Sequence, residues 1–158
     1  AAWYQRAAAQ EHVQAQYNLA VLYASGLGVA QNYPEAARWY RQAAVRDLKE
    51  AQFNLAVLYE NGFGVVQDYA EAANWYRRAA EAGHAAAQNN LGVLYANGQG
   101  VPRKPAIAYA WYEVAAARGN AKARANRDQL TRNLSSEQLT EGQRLAEEYA
   151  RRYRPAPP

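Results

Sequence analysis

Between His12 and Ser25, residues Ala15, Leu19 and Leu22 fall on one stripe, with Gln16, Ala20 and Tyr23 beside it. Spacings of i, i+4 and i+7 belong to an amphipathic helix, here helix A. The stripe stops at Ser25-Gly26, and the same stop recurs at Asn61-Gly62 and Asn97-Gly98. Asn and Gly accept the left-handed backbone that ends helices. A tight reversal follows each stop, at Gly26 to Val29, Gly62 to Val65 and Gly98 to Val101. A second stripe, Ala36, Trp39, Tyr40, Ala43 and Ala44, defines helix B. It starts after Asn32, and its copy after Asp68, each with Glu three residues on (Glu35, Glu71). That spacing is a capping box, in which side chains satisfy helix-end amides from both directions. The pattern predicts helices over 1–10, 12–25, 33–46, 48–61, 69–82, 84–97, 104–118, 120–133 and 136–153.

The helices come as copies. Trp-Tyr pairs at Trp3-Tyr4, Trp39-Tyr40, Trp75-Tyr76 and Trp111-Tyr112 stand 36 residues apart, and residues 3–38 match 39–74 at 20 of 36 positions. A fixed period in this range marks a solenoid, whose units bury their apolar faces against one another. The divisions are a truncated repeat at 1–10 (helix B alone), repeats at 11–46, 47–82 and 83–118, a degenerate last helix A at 119–133, a capping helix at 134–154 and a tail at 155–158. The last helix A carries Arg127 and Asp128 where earlier copies have Leu and Ala or Gly. Leu134-Ser135 with Gln138 and Leu139 then reads as a hydrophobic staple around a capping box. Starting inside a repeat, the chain is expected to belong to a longer array, and its first helix to self-associate through an uncovered apolar face.

Composition narrows the function classes. There is no Cys, so thiol chemistry and cysteine-ligated zinc are excluded. The lack of Met, an initiator included, is expected of a processed or excised polypeptide. No apolar run approaches the ~18 residues of a membrane span. The net charge of +4 is spread thinly, with no block of like charges, so no nucleic-acid partner is expected. Ala and Arg are abundant, a hint of a GC-rich bacterial gene and no more.

The segments Trp39-Tyr40-Arg41, Ala51 to Ala56, Leu58-Tyr59, Gly62 to Val65 and Asp68 to Ala72 resemble the Sel-one-like repeat family, cousins of the tetratricopeptide repeat. The resemblance runs from residue 3 to about residue 126. It implies an all-α, right-handed α-solenoid of antiparallel helix pairs, closed by the capping helix, with the A helices lining a concave face. It also implies adaptor or scaffold roles, commonly in bacterial envelope, signalling or host-interaction systems, so a periplasmic or secreted location is slightly favoured over a cytoplasmic one. Some relatives are cysteine-rich and linked to β-lactam binding; this cysteine-free chain does not carry that over.

A third stripe on helix A supplies the candidate site. Tyr17, Asn18 and Val21 recur as Phe53, Asn54 and Val57, then as Asn89, Asn90 and Val93, and Asn126 continues the asparagine series. By the resemblance this stripe faces the groove. An amide offers donor and acceptor together, so an asparagine ladder suits the main chain of an extended peptide, with the aromatic and valine side chains adding apolar contact. The alternative is that each Asn bonds a neighbouring helix. Gln16, Gln52 and Gln88 read as ties between helices, the Trp-Tyr pairs as core, and His12 and His84 as solvated. The Gly-X-Gly segments lack the strand and third glycine of a phosphate loop and read as turns. Arg151, Arg152 and Arg154 read as favourable charges against a helix dipole. With no Ser-x-x-Lys, His-Glu-x-x-His or paired carboxylates, the expectation is a non-catalytic module binding a peptide or protein segment, with no cofactor and no metal. An envelope hydrolase or β-lactam-acting enzyme, and a rigid spacer, are the alternatives.

Overall fold

A computed structural model describes Trp3 and residues 12–153. Eight helices follow in order: α1 (Val13–Ser25), α2 (Tyr33–Ala44), α3 (Lys49–Asn61), α4 (Tyr69–Glu81), α5 (Ala85–Asn97), α6 (Pro105–Ala117), α7 (Ala121–Thr131) and α8 (Ser136–Arg152). There is no strand among the described residues. Each helix lies within two residues of the bounds its hydrophobic pattern predicts. The helix expected over 1–10 and its self-association lie outside the described residues, apart from Trp3.

The ends of the helices follow from named side chains. Gly26, Gly62 and Gly98 close the A helices in the left-handed conformation, at φ 72, 71 and 69°. Asn32 accepts the amide of Glu35 at 3.0 Å, and Asp68 accepts those of Ala70 and Glu71 at 2.8 and 3.0 Å. The expected reciprocal half of the first box is not used: the Glu35 carboxylate turns to Arg38 at 2.7 Å. At α8 both halves are made, with Ser135 accepting from Gln138 and the Gln138 side chain accepting from Ser135. His84, expected to be solvated, instead caps α5, its Nδ1 accepting the Ala87 amide at 3.2 Å.

The chain divides into two compact units, residues 1–75 and 76–158, and the boundary falls within α4. In the first, α2 packs on α1 and α3. Its interior is Leu19, Leu55 and Tyr40 set among fully buried alanines such as Ala36, Ala43, Ala51 and Ala56. Small side chains let helix axes approach while the large ones fill the gaps. Gly64, at φ 69°, leaves no room for a side chain: a Cβ would stand 2.3 Å from the Tyr33 carbonyl carbon. In the second unit α6 packs against α5, α7 and α8 and buries Trp111, Tyr112 and Val114. Trp111 meets the rings of Tyr149 and Tyr153 on α8 at centroid distances of 4.6 and 5.6 Å. Arg118 donates to the carbonyl oxygens of Gly83 at 2.9 Å and Tyr153 at 2.6 Å, tying a helix connection to the end of α8.

The Trp-Tyr pairs are core only in part. Trp75 and Trp111 are buried, but Trp3 is 72% exposed. Trp39 is half-buried against Ala15 and Leu19, with the Arg38 guanidinium 4.5 Å from its ring centroid. Two of the three glutamines, Gln52 and Gln88, tie adjacent helices as their positions predict. Both are buried, and their amides donate to the carbonyls of Ala44 at 3.1 Å and Ala80 at 2.9 Å, one helix back in each case. The chain is an all-α solenoid of paired helices.

Candidate functional site

The third stripe of helix A is only partly buried, and two cavities open along it. In the first unit, Tyr40 from α2 and Asn54 from α3 line a cavity of about 330 Å³ with Val21, Ala24 and Ser25 of α1, Val57 and Leu58 of α3, and Tyr33 and Phe63. Tyr33 and Phe63 stack at 5.1 Å. The Asn54 amide reaches the Tyr17 hydroxyl at 3.5 Å, and the Tyr17 and Tyr40 rings tilt against each other at 5.9 Å. Burial raises the pKa of the Tyr40 phenol, and a negative charge on Tyr17 would raise it further; a hydrogen bond from Asn54 opposes both. The phenol therefore stays neutral and available as a donor at any physiological pH.

In the second unit Tyr112 from α6 and Asn126 from α7 line a cavity of about 310 Å³. The two sets of wall residues are copies two repeats apart. Val21 corresponds to Val93, Ala24 to Ala96, Ser25 to Asn97, Tyr40 to Tyr112, Asn54 to Asn126, Val57 to Gln129 and Leu58 to Leu130. Burial pushes the Tyr112 phenol up to about 12. The tyrosine-asparagine lining thus repeats while the surrounding wall changes, from mainly apolar in the first cavity to rich in amides in the second.

Of the residues expected to form the site, Val21, Asn54 and Val57 line the first cavity, and Val93 and Asn126 the second. Tyr17 supports the first through its contact with Tyr40. Phe53 is half-buried and outside the cavity wall. Asn18 is half-buried and accepts from Gln14 at 3.2 Å. Asn89 is buried and joins an internal chain, donating to Asn90 at 3.2 Å and accepting from Asn126 at 2.9 Å; Asn90 in turn donates to the Tyr76 hydroxyl at 3.1 Å. The ladder is therefore tied into the protein, and two of its members still face open space. Sequence reasoning missed Tyr40 and Tyr112 as cavity residues and Arg103 as a wall residue. A signal was present: Tyr40, Tyr76 and Tyr112 each precede Asn54, Asn90 and Asn126 by the same interval. Among the described residues no cluster of His, Cys, Asp and Glu could hold a metal ion, and no helix is long and apolar enough to cross a membrane.

The Sel1 repeat family matches the chain at residues 1–12, 13–44, 49–84 and 85–120. The crystal structure of a Sel1 repeat protein from Oxalobacter formigenes is similar over 80% of this chain and 95% of its own, with 41% identity and a TM-score of 0.73. The crystal structure of c5321, a protective antigen of uropathogenic Escherichia coli strains displaying an SLR fold, is similar over 96% of this chain, with 32% identity and a TM-score of 0.75. This chain spans 40% of that antigen's length. Curated proteins of known function offer no match. With four matched segments covering most of its length, the chain belongs to the Sel1 repeat family, whose members generally serve as protein-interaction modules.

Proposed function

We propose that the chain is a non-catalytic module that binds a peptide or protein segment on the exposed stripe of its A helices, with the cavity of each unit, taken by itself, as a seat for a side chain. The observation that carries this reading is the recurrence of one lining under different walls. In the intervening repeat the same pair is closed internally, with Asn90 donating to the Tyr76 hydroxyl at 3.1 Å, whereas at the other two positions the tyrosine and asparagine line open space. A pocket lining kept while its wall varies suits a surface that takes a different side chain in each unit. Apolar wall residues supply burial at about 25 cal/mol per Å², and the phenol and amide supply hydrogen bonds worth about 0.5–1.5 kcal/mol each.

The test is selection of random twelve-residue peptides on the full chain, followed by calorimetry with Asn54→Ala and Asn126→Ala. The expected result is a panel of binders whose affinity falls by about 1–3 kcal/mol in the double variant. The melting temperature should fall only slightly for Asn54→Ala, whose bond to Tyr17 is long at 3.5 Å, and further for Asn126→Ala, which removes a 2.9 Å bond to the buried Asn89 at a cost of about 1–3 kcal/mol. A large stability loss with affinity unchanged makes the ladder structural and removes this site.

A further inference from the structure

We infer that the cavity of the second unit accepts an acidic side chain of the bound segment, with Arg103 as its counter-charge; this rests on the peptide-binding reading and gives it a chemical class. Position 103 is anchored in a way the array repeats. Gln31 donates to the Ala24 carbonyl at 2.8 Å, and Gln67 to the Glu60 carbonyl at 2.8 Å. Arg103 uses its Nε for the same bond, to the Ala96 carbonyl at 3.0 Å. Each glutamine commits its amide nitrogen to that tether and to a tyrosine hydroxyl, Tyr33 at 3.2 Å from Gln31 and Tyr69 at 3.4 Å from Gln67. An arginine makes the tether and keeps both terminal nitrogens, each with two N–H groups, for another partner. The tether also fixes the guanidinium at the cavity wall, which reduces the side-chain entropy lost when an anion docks.

The surrounding wall agrees with an anion. Asn97, Asn126, Gln129 and Asn133 bring amide donors, and the wall contains one cation and no acid. The wall position held by Val57 in the first cavity is Gln129 here, and Tyr33 has no counterpart in the lining. A fixed guanidinium among amides, in a cavity large enough for a side chain and lacking a carboxylate of its own, is complementary to a carboxylate. Charge-assisted hydrogen bonds of this kind are shorter and about twice as strong as neutral ones. The first cavity, with Phe63 and Tyr33 in its wall, remains the place for an apolar side chain.

Two measurements test this. Propionate is titrated into isotopically labelled full chain, with propionamide as the uncharged control of the same shape. Saturable shifts of the Arg103 Nε–H and of the Asn126, Gln129 and Asn133 side-chain amides with propionate alone, absent in Arg103→Gln, are expected. Equal shifts with propionamide, or shifts at surface arginines without the cavity amides, overturn the inference. The variant should fold normally, because Gln31 and Gln67 already make the same carbonyl bond. The second measurement compares peptides selected on the native chain with those selected on Arg103→Gln. Asp or Glu should be enriched at one position for the native chain only, and its replacement by the amide should weaken binding about tenfold or more. Binders with no acidic preference overturn the inference and leave the peptide-binding reading standing. If no peptide is selected, both that reading and an acidic-segment partner fall, whatever propionate does.

Discussion

Replacing Trp111 with Ala removes the side chain around which α6 meets α8, and the structure sets the size of the loss. Trp111 is 4% exposed, so nearly all of its surface is withdrawn from water. A buried aromatic covers about 150–250 Å², worth roughly 4–6 kcal/mol at 25 cal/mol per Å². The contacts with Tyr149 and Tyr153 add about 0.5–1.5 kcal/mol each, and partial collapse of the space returns some of the total. The expected net cost is about 3–5 kcal/mol, the range found for large aromatic truncations in packed cores. That is a large share of a typical stability of roughly 5–15 kcal/mol. Trp3, mostly in solvent, should lose no more than about 0.5 kcal/mol on the same change. Half-buried Trp39 should fall between them. Urea titration of the three variants, followed by far-ultraviolet circular dichroism, gives the comparison. Equal losses at Trp3 and Trp111, or a Trp111 loss below about 1 kcal/mol, would refute the packing argument.

Two glycines separate backbone conformation from crowding. Gly28 and Gly64 share a positive φ (72 and 69°), but a Cβ on Gly28 meets nothing within 4 Å while one on Gly64 meets Tyr33 and Pro34 backbone. Gly28→Ala should cost about 1–2 kcal/mol and Gly64→Ala about 1–3 kcal/mol more, read as denaturation midpoints; equal costs would dismiss the contact. Stability should also decline in alkali. Burial holds the Tyr112 and Tyr149 phenols up to about 12 in the fold, against an ordinary value near 10. Their contribution is complete below about pH 10 and is lost as pH rises through about 12. Across that window the melting temperature should fall as the phenolate absorbance rises. A melting temperature that stays flat to pH 12 contradicts the burial.

The helices were legible because each signal is written several times. One Gly after a helical stripe is ambiguous; Gly26, Gly62 and Gly98 at one period are not, and each ends a helix. Caps followed where the side chain is a strong acceptor, as at Asn32 and Ser135. His84 was misread because an imidazole at a helix start caps only when its ring turns toward the amides, which pattern does not reveal. The candidate site was half legible. The asparagines stood out by recurrence, but each cavity needs a tyrosine from helix B beside an asparagine from the following helix A. That pairing is a property of packing between helices, not of periodicity along one. The same limit hid the burial of Asn89, which occupies a position that is Tyr17 and Phe53 in the copies before it.

The crowding at Gly64 bears on how such a chain can change length over evolutionary time. Its turn is not a free surface loop of the kind that absorbs insertions, because its backbone rests on Tyr33 and Pro34, where the preceding helix B begins. An extra residue there would lift the turn off the helix it presses against. A whole repeat gained or lost elsewhere leaves the Gly64 turn seated on the helix B it rests on. Indels of one to a few residues at this turn should thus be purged, while duplications and deletions of 36 residues pass. The regular beat of the Trp-Tyr pairs is then the record of a length that can be varied only in whole steps.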